Sequence, residues 1–213
     1  QHFDYSNFYK EIEDQRNEDD VEDQSELLNH EFNYLDIIYS GNWENGHRSD
    51  TGKEFEFQEL IYDGNWKEDH RHGKGIEHDY NSKIRFEGEW EADKRNGKGD
   101  EYYQNKLIYR GNWENNMRHG QGIEYENDMF IYKGEWENDK RNGFGIEFTN
   151  QEEKIYEGHW KDSMKHGTGI EYKKIGNFIK NIYQGAWKED KRWAKGFGDL
   201  YNGNVLIYRG NLI

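Results

Sequence analysis

The chain has no cysteine and no proline. Without cysteine, neither disulfides nor thiolate metal sites can hold the fold, which suits a reducing compartment. Without proline, every residue keeps the backbone N–H that a strand needs for its ladder. Long hydrophobic runs are missing as well. No stretch approaches the roughly 18 apolar residues of a membrane span, and no signal-peptide core is visible. Hydrophobic residues make up only 32% of the sequence and charged residues 34%, a balance that by itself points to disorder.

Charge is unevenly placed. The net charge of −15 falls mostly on residues 1–36, which hold 12 acidic and 2 basic side chains, against 32 and 27 in the remainder. An acidic head on a nearly balanced body argues against nucleic acid as the main partner. Abundant Asn, Lys, Ile and Tyr fit an AT-rich genome such as that of a protist.

What overrules disorder is a period. An aromatic-x-Gly-x-Trp pattern recurs from Tyr39/Gly41/Trp43 through Tyr62/Trp66, Phe86/Trp90, Tyr109/Trp113, Tyr132/Trp136, Tyr156/Trp160 and Tyr183/Trp187. Successive leading aromatics lie 23, 24, 23, 23, 24 and 27 residues apart, and a last step of 25 reaches Tyr208/Gly210, where Leu212 replaces Trp. A Gly-x-Gly follows most of these Trp residues by seven positions, as at Gly73/Gly75 and Gly143/Gly145. One basic residue stands between: Arg48, Arg71, Arg95, Arg118, Arg141, Lys165 and Arg192. A fixed period in this range is the mark of a stacked repeat array.

Each unit reads as a β-hairpin. In Leu107–Trp113, alternation puts Tyr109, Gly111 and Trp113 on one face. An Asn/Asp-rich stretch such as Glu137–Lys140 supplies the turn. The second strand, Gly120–Tyr125, places both glycines on one face, where flat rings can lie on bare backbone. The predicted fold is therefore all-β, an elongated single-layer twisted array of antiparallel hairpins, at about 10 Å per repeat. Residues 1–28 form an acidic extension, a solvated segment or a short amphipathic helix through Val21, Leu28, Phe32 and Leu35. Residues 29–213 form the array: a degenerate half-repeat at Glu31-Phe32, seven repeats and a truncated eighth.

Two repeats depart from the pattern. Asp50 occupies the first glycine position of repeat one. Repeat seven carries two extra residues in Lys191–Gly198, which predicts a wider hairpin turn, and the long link Lys173–Ile182 predicts a kink. The end at Ile213 leaves an unpaired strand edge suited to pairing with a second copy.

The order Tyr-x-Gly-x-Trp, basic residue, Gly-x-Gly, carried in full by Tyr132, Gly134, Trp136, Arg141, Gly143 and Gly145, resembles the MORN repeat (membrane occupation and recognition nexus). The resemblance covers residues 39–213 and implies a single-layered array with an aromatic-lined groove. Members built almost only of repeats are mostly scaffolds, among them radial-spoke heads of cilia and parasite cytoskeletal complexes. Others are accessory modules of lipid kinases, of a lysine methyltransferase, or of junctional membrane tethers.

Catalytic signals are weak. Glu54, Glu77, Glu101, Glu124, Glu147 and Glu171 recur at one position, and equivalent carboxylates in equivalent surroundings do not divide acid from base. Pairing with the basic row is the expectation. His70, His72 and His78, with His47, His119 and His166 at related turns, lie on a solvated edge where metal ligands converge poorly. Neither a catalytic group, a metal nor a cofactor is expected. Lys94-Arg95, Lys140-Arg141 and Lys191-Arg192 could line a basic edge for anionic lipid, but neighbouring carboxylates offset it.

The expected role is a non-catalytic scaffold in the cytoplasm, in a cytoskeletal assembly and foremost a ciliary axoneme. Its partner groove would be lined by Tyr62, Phe86, Tyr109, Tyr132, Tyr156 and Tyr183 with Trp66, Trp90, Trp113, Trp136 and Trp160. A peripheral membrane tether and a regulatory module of a larger enzyme are the alternatives.

Overall fold

The computed structural model describes residues 39–79, 83–202 and 205–211. The readings for residues 1–28, for the half-repeat at Glu31-Phe32 and for Leu212 fall outside them. The described chain is sixteen strands. The first eight are β1 (Tyr39–Glu44), β2 (His47–Glu56), β3 (Glu59–Lys67), β4 (His70–His78), β5 (Ile84–Glu91), β6 (Lys94–Tyr103), β7 (Lys106–Glu114) and β8 (Met117–Glu126). The rest are β9 (Met129–Glu137), β10 (Lys140–Phe148), β11 (Lys154–Lys161), β12 (Met164–Ile175), β13 (Phe178–Lys188), β14 (Lys191–Arg192), β15 (Phe197–Asn202) and β16 (Val205–Asn211). All pair antiparallel in sequence order within one open sheet, with only the two-residue β14 off the main path. The expected array is there.

Turn chemistry sets the register. Within each repeat the hairpin closes through two residues that both take positive φ, as at Glu68 and Asp69 (49° and 68°) or Asn138 and Asp139 (50° and 64°). This is the type I′ geometry that matches the twist of the flanking strands. Few of these positions are glycine, so the left-handed backbone has to be stabilised from outside. The second turn residue does this by bonding one repeat back. Asp69 N–H donates to the Arg48 carbonyl at 3.2 Å, and Arg48 N–H donates to Asp69 Oδ1 at 2.8 Å. The pair recurs at Asp93 with Arg71, Asn116 with Arg95, Asp139 with Arg118, Ser163 with Arg141 and Asp190 with Lys165. Each turn from repeat two to repeat seven is thus stitched to the preceding repeat.

One expectation is corrected. The turn of repeat seven is not widened: Glu189 and Asp190 keep the two-residue form, with φ of 51° and 63°. Its extra residues instead interrupt the second strand between β14 and β15, held by Trp193 N–H to the Ala186 carbonyl at 2.8 Å. Along the link 173–182, where the sequence predicts a kink, the ladder lengthens, with pairing carried through Lys173↔Lys180 to Ile175↔Phe178 and a register shift between Glu171 and Tyr172.

Candidate interaction face

A single-layer sheet has no second layer to bury its hydrophobic face, so this face must cover itself. Tyr62, Tyr109, Tyr132, Tyr156, Tyr183 and Phe86 are 0% exposed, and Trp66, Trp90, Trp113, Trp136, Trp160 and Trp187 are 4–5% exposed. Each leading ring from Tyr39 to Tyr156 meets its own Trp and that of the next repeat edge to face. Tyr62 lies 5.2 Å from Trp66 and 5.4 Å from Trp90. Edge-to-face pairs of this kind add roughly 0.5–1.5 kcal/mol each beyond their buried area.

The glycines divide the work. A Cβ on Gly75 would stand 2.1–2.5 Å from the Tyr62 ring, so that position is bare because the ring lies on it. The first glycine of the pair serves the backbone: Gly73 has φ of 61°, and Asp50, its counterpart in repeat one, is forced to 54°.

Polar atoms of the rings are satisfied on the sheet itself. Tyr62 O–H donates to the Asn65 carbonyl at 3.0 Å, and Trp66 Nε1–H donates to the Gly52 carbonyl of the repeat before at 3.1 Å. Trp136 departs from this pattern, because its Nε1 is buried without an acceptor. Burial pushes the phenols of Tyr62, Tyr109, Tyr132 and Tyr156 well above their ordinary value.

A charged lid closes over the rings. Arg71 sits 4.8 Å from the Tyr62 ring centroid and binds Glu54 of the previous repeat through Nη2, at 2.7 Å. Arg95 with Glu77, Arg118 with Glu101, Arg141 with Glu124 and Arg192 with Glu171 repeat the arrangement at 2.6–2.7 Å. The Glu row therefore meets the basic row as expected, but half-buried and between successive repeats. Cation–π contact and desolvation make such pairs worth more than surface ones.

This overturns the aromatic-lined groove as an open surface. All eleven residues predicted to contact a partner are interior, because ring, glycine and guanidinium close over each other. Among the described residues, Trp43 of β1 is the Trp of this series that stays exposed, at 60%.

The accessible concavity lies on the opposite face. A depression of about 780 Å³ crosses β6 to β10, lined by Lys98, Asp100, Arg110, Ile123, Lys133, Phe144 and Ile146 among others. Phe144 also lines a second depression of about 420 Å³, with His159, Ile170 and Phe197, and a third reaches back to Asp63. Together they make one trough running across the strands from β3 to β15. Phe144 is 44% exposed and Phe197 59% exposed. Sequence reasoning missed this face. Its signal was present: the residue after the second glycine is Ile at 76, 123, 146 and 170, an apolar row on the side away from the rings.

His47 Nδ1 and His70 Nδ1 each approach the second turn residue of the following repeat, Asp69 and Asp93, at 2.5 Å. Among the described residues, no three His, Asp or Glu side chains converge on a point that could hold a metal ion. The basic turn edge is partly spent, since Lys94 bonds Asn115 Oδ1 at 3.2 Å and Lys140 bonds Asp162 Oδ1 at 2.8 Å. No helix among the described residues is long and apolar enough to cross a membrane.

The family model of the MORN repeat matches seven segments: residues 39–49, 62–83, 86–107, 109–128, 132–151, 156–178 and 183–204. Each begins on a leading aromatic of the array. Repeats of this kind form scaffold or interaction modules toward proteins or membranes, and arrays made only of them are typically non-catalytic. A search of curated proteins found no match to the chain.

Proposed function

The chain belongs to the MORN repeat family, and from that premise we propose that it is a non-catalytic scaffold that holds a partner protein against the trough face of its sheet. The observation that carries this reading is the division between the faces. The rings, the Arg–Glu lid and the turn stitches are consumed in holding repeats together, and what is left for a partner is a continuous trough with apolar side chains at its centre. Specific interfaces concentrate apolar anchors in a patch ringed by polar groups, which is the pattern around Phe144.

The resemblance to repeat-only scaffolds supports placing the protein in a cytoskeletal assembly, and a ciliary axoneme is our first choice. The exposed Val205, Leu206 and Ile207 on β16 support a second contact there, with another copy. Crosslinking mass spectrometry on the native assembly tests the whole reading. Crosslinks from Lys74, Lys98 and Lys133 to one defined neighbour are expected. Crosslinks confined to the chain itself, or a trough left unprotected in the assembly, would overturn it.

A further inference from the structure

Resting on that reading, we propose that the trough's occupant is an amphipathic helix lying across the strands, with apolar residues at heptad spacing and carboxylates on its flanks. The argument begins with a period. Two strands per repeat at about 4.8 Å bring equivalent side chains round every 9.6 Å or so. Seven residues of an α-helix rise about 10.5 Å. One apolar residue per heptad therefore drifts from one apolar residue per repeat by only about 1 Å at each step, about 2 Å over the two steps from Ile123 to Ile170.

The trough shows where such a helix would begin and end. Along the row that follows the second glycine, the residues are Lys53, Ile76, Asp100, Ile123, Ile146, Ile170 and Asp199. Three consecutive isoleucines, half-buried, are bounded on each side by an aspartate. Each aspartate is tied across the ladder to an arginine: Asp100 to Arg110 at 2.9 Å and Asp199 to Arg209 at 2.8 Å. The apolar floor thus spans three repeats, about 29 Å, which is the length of about 19 helical residues, just under three heptads. Phe144 stands in the middle, in both depressions, as the central anchor.

Charge supplies the flanks. Around the floor of repeats three to five stand Lys98, Arg110 and Lys133 against Asp100 and Glu135. Lys98 makes no ion pair among the described residues, and Lys133 lies over the Phe130 ring, 4.7 Å from its centroid. A carboxylate-bearing helix gives both lysines partners.

A polyproline segment repeats every three residues at about 9.3 Å and meets the same period. Its recognition relies on aromatic grooves with exposed donors. Here the Trp N–H and Tyr O–H groups face the other way, and those of Trp66 and Tyr62 are bonded to carbonyls of the sheet, so the trough fits the helix better.

The test uses the full chain and three synthetic peptides of about 21 residues, followed by fluorescence anisotropy and circular dichroism. The first carries leucines at heptad spacing with glutamate flanks. The second has the same composition with its leucines respaced to every fifth residue, a rise of about 7.5 Å that falls out of step with the repeat. The third is a Pro-x-x-Pro repeat. The array variant combines Phe144→Thr and Ile146→Lys, residues that repeats six and one already carry at Thr168 and Lys53, and its urea midpoint is compared with that of the parent chain.

Binding of the heptad peptide with a gain in helicity is expected. It should weaken at least about tenfold in the variant, and by a similar factor on respacing. The helix is overturned if the respaced or proline peptide binds as well, if the heptad peptide does not bind, or if the variant binds it unchanged. If native crosslinks still converge on the trough in that event, the docking face stands and only the helix falls. Crosslinks that avoid the trough remove both.

Discussion

The two faces of this sheet are made by the same strands, yet they are opposite in kind. On the ring face nearly every repeat carries the same residues: aromatic, Gly, Trp, a cation, Gly and Glu. On the trough face one row reads Asp63, Glu87, Arg110, Lys133, Glu157 and Gln184, and no two neighbouring positions agree in both charge and shape. Seven internal copies act as their own comparison. Positions that must interlock with the next repeat cannot vary, because ring, glycine, carbonyl and guanidinium are each held by the repeat beside them. Positions that face outward are free to be individual, and individuality is what a recognition surface needs.

The sharpest way to break the comparison is to make one deletion on each face of the same hairpin. Trp113→Ala removes a ring that touches both Phe86 and Tyr109, along with its bond to the Gly99 carbonyl. It should cost about 3–5 kcal/mol, read as a fall in the urea midpoint. Ile123→Thr, on the adjoining strand but on the trough side, keeps a β-branched residue and should cost under about 1 kcal/mol. Equal losses would mean that the trough face carries the fold as well.

Alkali offers a second route, because among the described residues the fully buried phenols lie on the ring face. Their values are raised by burial, so folding favours the neutral form. That contribution is complete below about pH 10, the ordinary tyrosine value, and is lost as pH rises through the folded values. The chain should therefore unfold progressively above pH 10. Phe86 shows that the site accepts a ring without a hydroxyl. Tyr132→Phe should cost about 1 kcal/mol at neutral pH, through the lost bond to the Glu135 carbonyl, and flatten the alkaline decline. An unchanged decline would place the sensitive groups elsewhere.

Much of this architecture could be read from the sequence. The period of Tyr, Gly and Trp gives strand number, hairpin order and the identity of the packing face, since alternation alone puts Tyr109 and Trp113 together. Burial was harder to read. Large aromatic residues in a one-layer array look exposed until the Arg–Glu lid is placed above them, and Arg71 reaches Glu54 across 17 positions of sequence. The two glycines of Gly-x-Gly look alike in sequence, while one answers to a ring and the other to a positive φ. The trough was least legible, because Ile123, Ile146 and Phe144 read as ordinary strand residues until the face they occupy is known.

Repeat one tests the division of the glycines. Asp50 carries at φ 54° the conformation that glycine adopts freely at Gly73. Asp50→Gly should stabilise the chain by about 0.5–1 kcal/mol, seen as a higher urea midpoint, because relief of a left-handed aspartate outweighs glycine's extra freedom when unfolded. If stability fell instead, the Asp50 side chain would be making a contact that offsets its backbone.

The smallest effect sharpens the account of the lid. Lys165 is the one non-arginine in the basic row, and its Nζ comes within 2.8 Å of Glu147 Oε2 but not along a hydrogen-bonding direction, which leaves that oxygen buried and unbonded. The equivalent Arg141 holds Glu124 through both Nε and Nη2, at 2.9 and 2.6 Å. A guanidinium aims two N–H donors fixed in one plane at a single carboxylate oxygen, as Nε and Nη2 of Arg141 do at Glu124 Oε2, and lays that plane on the ring beneath; an ammonium has no such plane. Lys165→Arg should therefore raise stability by about 0.5 kcal/mol, and the gain should persist when salt is added, because both partners are mostly shielded from water. A gain that vanished in salt would mean that the lid works as a surface ion pair, and the burial of Tyr156 and Trp160 would then rest on the glycines and the rings alone.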